Sequence, residues 1–357
     1  MPRENKDNQV SKLDINRVVE SVFSSLTERE REVLSRRYGI SQETEHTLEE
    51  IGQDFGVTRE RVRQIESVSI KKIKQTNDFK GAVDAFREII VSLVRAHGGM
   101  MESGHLLSHL GEMLDSDNHG FFTFTLEKLL DSDVESLSKH DQIRNSWKLK
   151  ECQTDDILCR LEKMEEIIKS KKDTLEEDVL FTEYHKTSEE DDLLRDRSVF
   201  RSHLRLARNI GANIFGHWGL SDWSTIRPKR MNDKIYLVLR QIQKPLHFGE
   251  IAKRINEIKF DHKVAYPATI HNELILDDKY VLVGRGIYAL REWGYKPGVV
   301  SDVICEILSE SGAMSREEIV DRVLEQRLVG KSTIHLALMN KDRFAKLNDK
   351  RYSLAKK

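Results

Sequence analysis

Hydrophobic residues recur at helical spacing along most of the chain, and short alternating stretches follow several of these runs. The clearest helix pair flanks the tripeptide Phe55-Gly56-Val57. Apolar positions such as Ile51 before it and Val62 after it give each helix one face to bury against the other. The pattern therefore predicts a helix-turn-helix over residues 47–74.

Local signals mark the ends of these two helices. Thr47 is followed three residues later by Glu50, the spacing of a capping box, and Thr58 is placed to cap the second helix. Gly56 lies between the helices, where a residue without a Cβ can adopt a left-handed backbone at little cost. Each predicted helix thus has a defined start.

The second helix carries side chains that suit contact with DNA. Arginine can bond guanine bidentately, glutamine matches the adenine edge, and glutamate can accept from cytosine. Cations also outnumber acids from Arg59 to Lys74, so the favoured partner of this helix is a polyanion. The candidates for base contact are Arg59, Glu60, Arg63 and Gln64, and the six cations Arg59, Arg61, Arg63, Lys71, Lys72 and Lys74 stand against the two acids Glu60 and Glu66.

Residues 26–74, from LTEREREVLSRRYGI through TLEEIGQDFGVTRERVRQIE, resemble region 4 of bacterial primary sigma factors. That region reads the upstream (−35) promoter element. The resemblance implies that Arg59, Glu60 and Gln64 read bases, that Arg63 contacts DNA nearby, and that Arg36 and Arg37 lie near the phosphate backbone. It also implies docking on the β-subunit flap of RNA polymerase. Because only about 25 residues precede this segment, we expect no promoter-melting region.

The remaining chain predicts a series of winged helices, each with helices followed by a short hairpin. The expected fold class is mainly α: a helix-turn-helix domain followed by tandem winged-helix domains with small β-hairpin wings. The predicted segments are a disordered tail at 1–11, the sigma-like domain at 12–77, and winged helices at 79–150, 155–227, 231–295 and 299–354.

Residues 231–295 resemble the HARE-HTH domain, the winged helix shared by the RNA polymerase delta subunit and several chromatin and restriction-associated proteins. The strings LHFGEIAKRIN and VGRGIYALREWG carry this resemblance. A tight turn at Gly284-Arg285-Gly286 places Arg285 at the tip of the wing, where it can contact phosphate or simply face solvent. Residues 299–354 repeat the same order of helices and hairpin.

An acidic stretch interrupts the second winged helix. Residues 173–192 contain nine acids and one lysine, Lys186. Such a run is typical of a solvated loop, so the sequence predicts an acidic loop at 173–192.

Composition sets the class of protein. The chain has 357 residues, 38% hydrophobic content and a net charge of −2, so DNA affinity must come from local basic faces. Its three cysteines are scattered, which favours a reducing compartment. We find neither a signal-peptide core nor an apolar run of membrane-spanning length, so we expect a cytoplasmic protein with no membrane partner.

Candidate chemistry other than DNA contact is weak. Four histidines, His97, His105, His109 and His119, are close in sequence but lack acidic or cysteine partners at metal-ligand spacing. Gly330-Lys331-Ser332-Thr333 imitates the end of a phosphate loop, but Glu325 stands where that motif needs glycine. We therefore expect no catalytic site, no metal and no cofactor.

The hypothesis from sequence is a sequence-specific DNA-binding transcription regulator that recognises −35-like promoter DNA, associates with RNA polymerase, or does both. Two alternatives remain open. One is an RNA polymerase-binding scaffold that does not bind DNA; the other is the DNA-recognition component of a restriction or defence system. The sequence leaves the target site, the direction of regulation, any effector and the oligomeric state undetermined.

Overall fold

The computed structural model describes residues 14–40, 44–188, 191–295 and 298–355. The tail predicted at 1–11 lies outside these residues. Contacts divide the chain into unit 1, comprising Met1–Ala212 and His217–Ser221, and unit 2, comprising Asn213–Gly216 and Asp222–Lys357. The described residues are mainly helical, with small antiparallel sheets, which confirms the predicted fold class.

Unit 1 begins with four helices. The predicted capping box of Thr47 and Glu50 is present before the third helix, and Thr27 and Glu30 form a second one before the second helix. Gly39 ends the second helix with a left-handed backbone, at a φ of 63°. The helices are α1 (Ile15–Phe23), α2 (Glu28–Tyr38), α3 (Leu48–Asp54) and α4 (Arg59–Gln75).

A winged helix follows in unit 1. Its three strands form an antiparallel sheet in the order β1-β3-β2, with Met101 opposite Trp147 and Trp147 opposite Ser136. The elements are α5 (Asn77–Ala96), β1 (Met100–Glu102), α6 (Ser103–Leu114), α7 (His119–Phe124) with a π turn at Thr125–Leu129, β2 (Val134–Leu137) and β3 (Ser146–Leu149).

The sigma-like helices and this first winged helix share one hydrophobic core. Phe124 of α7 packs its ring edge-to-face on Phe23 of α1 and Tyr38 of α2, with ring centroids 6.1 and 5.0 Å apart. Ile73 of α4 and Phe86 of α5 belong to the same buried cluster. The apolar face of the sigma-like helices is therefore filled by the winged helix.

A second winged helix completes unit 1. The bridge between Leu175 and Trp218 supplies its first strand position, and Trp218 is buried in the core. Its elements are α8 (Thr154–Lys171), α9 (Glu177–Thr187), a 3-10 turn (Asp192–Arg195), α10 (Arg197–Leu206), β4 (Ile210–Ala212) and β5 (Trp218–Leu220).

The acidic loop predicted at 173–192 is wrong over most of its length, because Glu177–Thr187 forms α9. Leu180 and Tyr184 bury one face of this helix, and the acids on its other side meet arginines of α10. Glu177 pairs with Arg201 at 2.7 Å, and Asp178 pairs with Arg197. The acids therefore join two helices of one module.

The wing of the first winged helix, residues 138–145, docks on the second. Ile143 forms an antiparallel bridge with Ala207. Arg144 donates from Nη2 to the carbonyl of Ile210 at 2.6 Å, and Arg208 donates to the carbonyl of Ile143 at 3.1 Å. Because its backbone is paired in this way, the wing holds the two winged helices of unit 1 together.

Several histidines of unit 1 pack where α5 meets α6 and α10. The rings of His97, His105 and His109 pack together with centroids 5.2 to 5.6 Å apart. His203 of α10 is fully buried, and its Cε1 would lie 2.5 Å from a Cβ added at Gly98. Burial lowers the pKa of His203 to about 4, and burial followed by the charge of Arg205 lowers the pKa of His105 to about 4.

Unit 1 should lose stability as pH falls from about 6.5 to about 4. Unfolded histidines bind protons near their ordinary pKa of 6.5, whereas folded His203 and His105 do not until about 4. The unfolded state therefore binds more protons in this window. Chemical denaturation at several pH values should give a flatter pH dependence for His203→Gln than for the exposed-site control His262→Gln. Equal slopes would contradict the assignment.

Unit 2 contains two further modules, each with three helices and a two-stranded hairpin, which we also describe as winged helices. The first has α11 (Met231–Ile242), β6 (Leu246–His247), α12 (Phe248–Ile258), α13 (Pro267–Leu276), β7 (Tyr280–Gly284), β8 (Ile287–Leu290) and a 3-10 turn (Arg291–Trp293). The second has α14 (Val300–Ser311), α15 (Arg316–Gln326), α16 (Lys331–Leu338), β9 (Phe344–Lys346) and β10 (Tyr352–Leu354), with Met314 bridged to Tyr352.

The two winged helices of unit 2 are also joined through a wing. The amide of Leu328 donates to the carbonyl of Val283 on β7 at 3.0 Å. Arg327, only 3% exposed, donates to the carbonyls of Leu282 and Gly298. Among the helices that the structure describes, none is long and apolar enough to cross a membrane.

Candidate nucleic-acid interface

The turn between α3 and α4 is set by a small core and a close backbone approach. Ile51, Val62 and Val33 are completely buried together. Gly52 packs against the turn so tightly that an added Cβ would lie 2.8 Å from the carbonyl oxygen of Val57. Gly56 has a φ of 64°, as its position in the turn predicts. This packing fixes the angle at which α4 leaves α3.

The N-terminal half of α4 is exposed on the side opposite this core. Thr58 caps the helix by accepting from the amide of Arg61 at 3.2 Å. The four candidates for base contact are all exposed, whereas Val62 is buried and Ile65 half-buried. The exposed side chains are Arg59, Glu60, Arg63 and Gln64, together with Arg61.

Four of these exposed side chains pair with one another along the helix. Arg63 donates to both carboxylate oxygens of Glu60, from Nη2 at 2.7 Å and from Nε at 2.8 Å. This contact lowers the pKa of Glu60 and raises the pKa of Arg63. Arg61 donates to the amide oxygen of Gln64 at 3.2 Å. Because exposed pairs contribute little stability, they can exchange for contacts with a ligand at small cost.

Arg36 and Arg37, expected near a phosphate backbone, are half-buried and already engaged. Arg36 pairs with Glu32 at 2.7 Å and with Asp54 at 2.9 Å, and its guanidinium lies over the ring of Phe55. Arg37 donates to the carbonyl of His46 at 3.1 Å. Both arginines thus hold α2 to the α3 region.

The cations at the C-terminal end of α4 differ in their surroundings. Lys71 is exposed to solvent. Lys72 pairs with Glu30, whose pKa is lowered chiefly by this hydrogen bond. Lys74 pairs with Asp131 of the first winged helix at 2.9 Å. Lys71 is therefore the cation of this group best placed to meet a phosphate.

Arg285 occupies the turn between β7 and β8 and is exposed, as predicted for a wing tip. Gly286 beside it has a φ of 70°, which a residue without a Cβ adopts readily. Arg285 belongs to unit 2, and the other nine candidate residues belong to unit 1. Arg285 therefore lies in a different unit from the candidates on α4.

Sequence reasoning missed the residues that hold α3 in place. Gly52 lies inside the seven-residue helix α3, and a glycine at such a position signals close backbone contact. The partners of Arg36 were also missed, although Glu32 lies four residues before it at the spacing of a helical ion pair.

The structure also shows where the four histidines that are close in sequence lie. Among residues 14–40, 44–188, 191–295 and 298–355, no group of three or more His, Cys, Asp or Glu side chains could hold a metal ion. Three of the four histidines pack as rings at the α5–α6 contact, as described above.

Comparison with known protein families and curated proteins finds similarity over the segment that carries this interface. Residues 22–75 match the family described as Sigma-70, region 4. The chain is 49% identical over 74 residues to RNA polymerase sigma factor SigA of Nostoc sp. (strain PCC 7120 / SAG 25.82 / UTEX 2576), covering 21% of this chain and 19% of that protein.

Two further sigma factors give similar values. Identity is 48% over 60 residues to RNA polymerase sigma factor RpoD of Neisseria gonorrhoeae, covering 17% of this chain and 9% of that protein. Identity to SigA of Microcystis aeruginosa is 46% over 74 residues, covering 21% and 18%. The chain thus spans less than a fifth of the length of these relatives. The HARE-HTH resemblance of residues 231–295 stays a prediction.

Proposed function

We propose that this protein is a sequence-specific DNA-binding transcription regulator whose α4 enters the major groove of −35-like promoter DNA. The observation that carries the proposal is the exposure of Arg59, Glu60, Arg63 and Gln64 on one helix of a segment similar to sigma region 4. An exposed helix with bidentate donors and acceptors suits the major groove.

The exposed pairs on α4 suggest how binding proceeds. Arg59 and Gln64 are the primary candidates for base contacts. Glu60 and Arg63 exchange their mutual bonds for bonds to a cytosine amino group and to nearby DNA. Lys71 adds a phosphate contact that carries no sequence information.

Similarity to RNA polymerase sigma factors also supports association with RNA polymerase. The apolar face formed by Phe23, Tyr38 and Ile73 is filled by α5 and α7. A polymerase partner would therefore use other surfaces of the sigma-like helices, unless the first winged helix moved away.

Substitutions on α4 test the reading of bases. We expect Arg59→Ala and Gln64→Ala each to weaken binding to a −35-like duplex by roughly 5- to 150-fold, since a bidentate base contact contributes about 1–3 kcal/mol of discrimination. Binding to a scrambled duplex should change much less. Fluorescence anisotropy on both duplexes measures the two effects.

Lys71→Ala is the matched control. It should weaken both duplexes alike and reduce the slope of log K against log salt by about 0.9. If all three variants shifted both duplexes equally, base reading by α4 would be refuted. If core polymerase bound the full chain while neither duplex did, the polymerase-binding scaffold would replace the proposal.

A further inference from the structure

The third helices of the two winged helices in unit 2 are poor in positive charge. α13 contains no lysine or arginine, and α16 contains only Lys331. α4 by contrast carries six. Because phosphate neutralisation by lysine and arginine supplies most of the affinity for DNA, α13 and α16 lack the composition of a DNA-reading helix.

α13 instead exposes large apolar side chains. Ile270 and Leu274 bury one face of the helix in the core of its module. At the C-terminal end, Ile275 is 61% exposed and Leu276 is 83% exposed. Neighbouring apolar side chains exposed to this degree are typical of a surface that a protein partner covers.

A cavity of about 640 Å³ is lined in part by the residues that follow these apolar side chains in the sequence. Asp277 and Asp278, which directly follow Leu276, form part of its wall. The first turns of α11 and the end of β8 also contribute, through the half-buried ring of Tyr236 and the buried side chain of Leu290. The lining residues are Ser224, Asn232, Asp233, Tyr236, Asp277, Asp278, Lys279, Leu290, Arg291 and Glu292.

The cavity has an excess of negative charge. Four carboxylates and two cations line it, which leaves a formal charge of −2. Lys279 lies 3.7 Å from Asp277, and Arg291 lies 3.4 Å from Asp278. The two remaining carboxylates accept hydrogen bonds from uncharged donors: Asp233 from the amides of Lys229 and Arg230, and Glu292 from the hydroxyl of Tyr236.

We propose that this cavity and the apolar end of α13 form a docking site for a cationic amphipathic segment of a partner protein. Apolar side chains of the segment pack on Ile275 and Leu276, and its lysines or arginines enter the cavity toward Asp233 and Glu292. The charge of the cavity selects this partner, because the same carboxylates repel DNA phosphates and acidic peptides.

The site can be tested on the full chain with two fluorescein-labelled helical peptides of equal length, one built from leucine and lysine and the other from leucine and glutamate. We expect saturable binding of the lysine peptide and much weaker binding of the glutamate peptide. Leu276→Ser should weaken the lysine peptide by roughly tenfold, because burial of the leucine side chain is lost. Glu292→Gln should weaken it by roughly threefold to tenfold.

Leu336→Ser on α16 removes another highly exposed leucine, 70% exposed, and is the control that should leave peptide binding unchanged. The proposal fails if the lysine peptide does not bind, if the glutamate peptide binds as tightly, or if Leu336→Ser weakens binding as much as Leu276→Ser. It also fails if Leu276→Ser lowers the affinity of the full chain for duplex DNA, which would make α13 a nucleic-acid contact.

Discussion

Replacing Gly120 with alanine should destabilise unit 1 by about 3 kcal/mol, at the upper end of the cost of inserting a methyl group into a packed core. Gly120 lies in α7, where the first winged helix meets the end of α2. A Cβ there would lie 2.2 Å from the carbonyl oxygen of Tyr38 and 2.4 Å from that of Gly39. Both are backbone atoms, so the clash can be relieved only by shifting a helix end.

Gly81→Ala is the matched control for this change. Gly81 lies in α5 of the same module, and among the described residues no atom outside its own stretch of helix lies within 4 Å of its added Cβ. Alanine there should raise stability by up to about 1 kcal/mol, from helix propensity alone. Denaturant unfolding followed by circular dichroism measures both variants, and a Gly120→Ala protein as stable as Gly81→Ala would refute the tight contact between α7 and α2.

Replacing Asp261 with asparagine should lower the thermal midpoint of unit 2 by roughly 5–10 °C, a large shift for a domain of this size. The side chain of Lys234 on α11 is only 1% exposed, and its ammonium lies 2.6 Å from Asp261. This hydrogen bond lowers the pKa of Asp261. Without the carboxylate, the lysine would be a buried charge with no opposite charge beside it.

The pH dependence of the Asp261→Asn variant separates this cause from a general loss of packing. The hydrogen bond from Lys234 lowers the folded pKa of Asp261, so the unfolded state binds more protons near the ordinary carboxyl pKa of 3.8, and the advantage of the wild type over Asp261→Asn should shrink as pH falls into that range. Glu257→Gln, which removes an exposed partner of Lys253, should change little. A midpoint for Asp261→Asn equal to that of Glu257→Gln would contradict a role for the pair.

Local signals in the sequence predicted much of unit 1. Thr47 and Thr58 cap the helices that their spacing predicted, because a capping contact spans only three residues. Gly56 adopts the expected left-handed backbone for the same local reason. The position of the α4 candidates on an exposed face follows from helical periodicity alone.

Contacts between distant segments could not be predicted in this way. The acids of 173–192 read as a loop because their partners, Arg197 and Arg201, come about twenty residues later and meet them only after α9 and α10 pack. Arg36 was expected at DNA, but Asp54, eighteen residues away, engages it. Charge counted along the chain does not reveal which charges neutralise each other in space.

The core shared by the sigma-like helices and the first winged helix limits how this chain can be divided. A fragment cut near residue 77 would leave Phe23, Tyr38 and Ile73 facing water, since Phe86 and Phe124 would be gone. Such a fragment would aggregate or bind another molecule through this exposed apolar face. The sigma-like helices can therefore be transplanted into another protein only together with the first winged helix, and the two are expected to have been inherited as one piece.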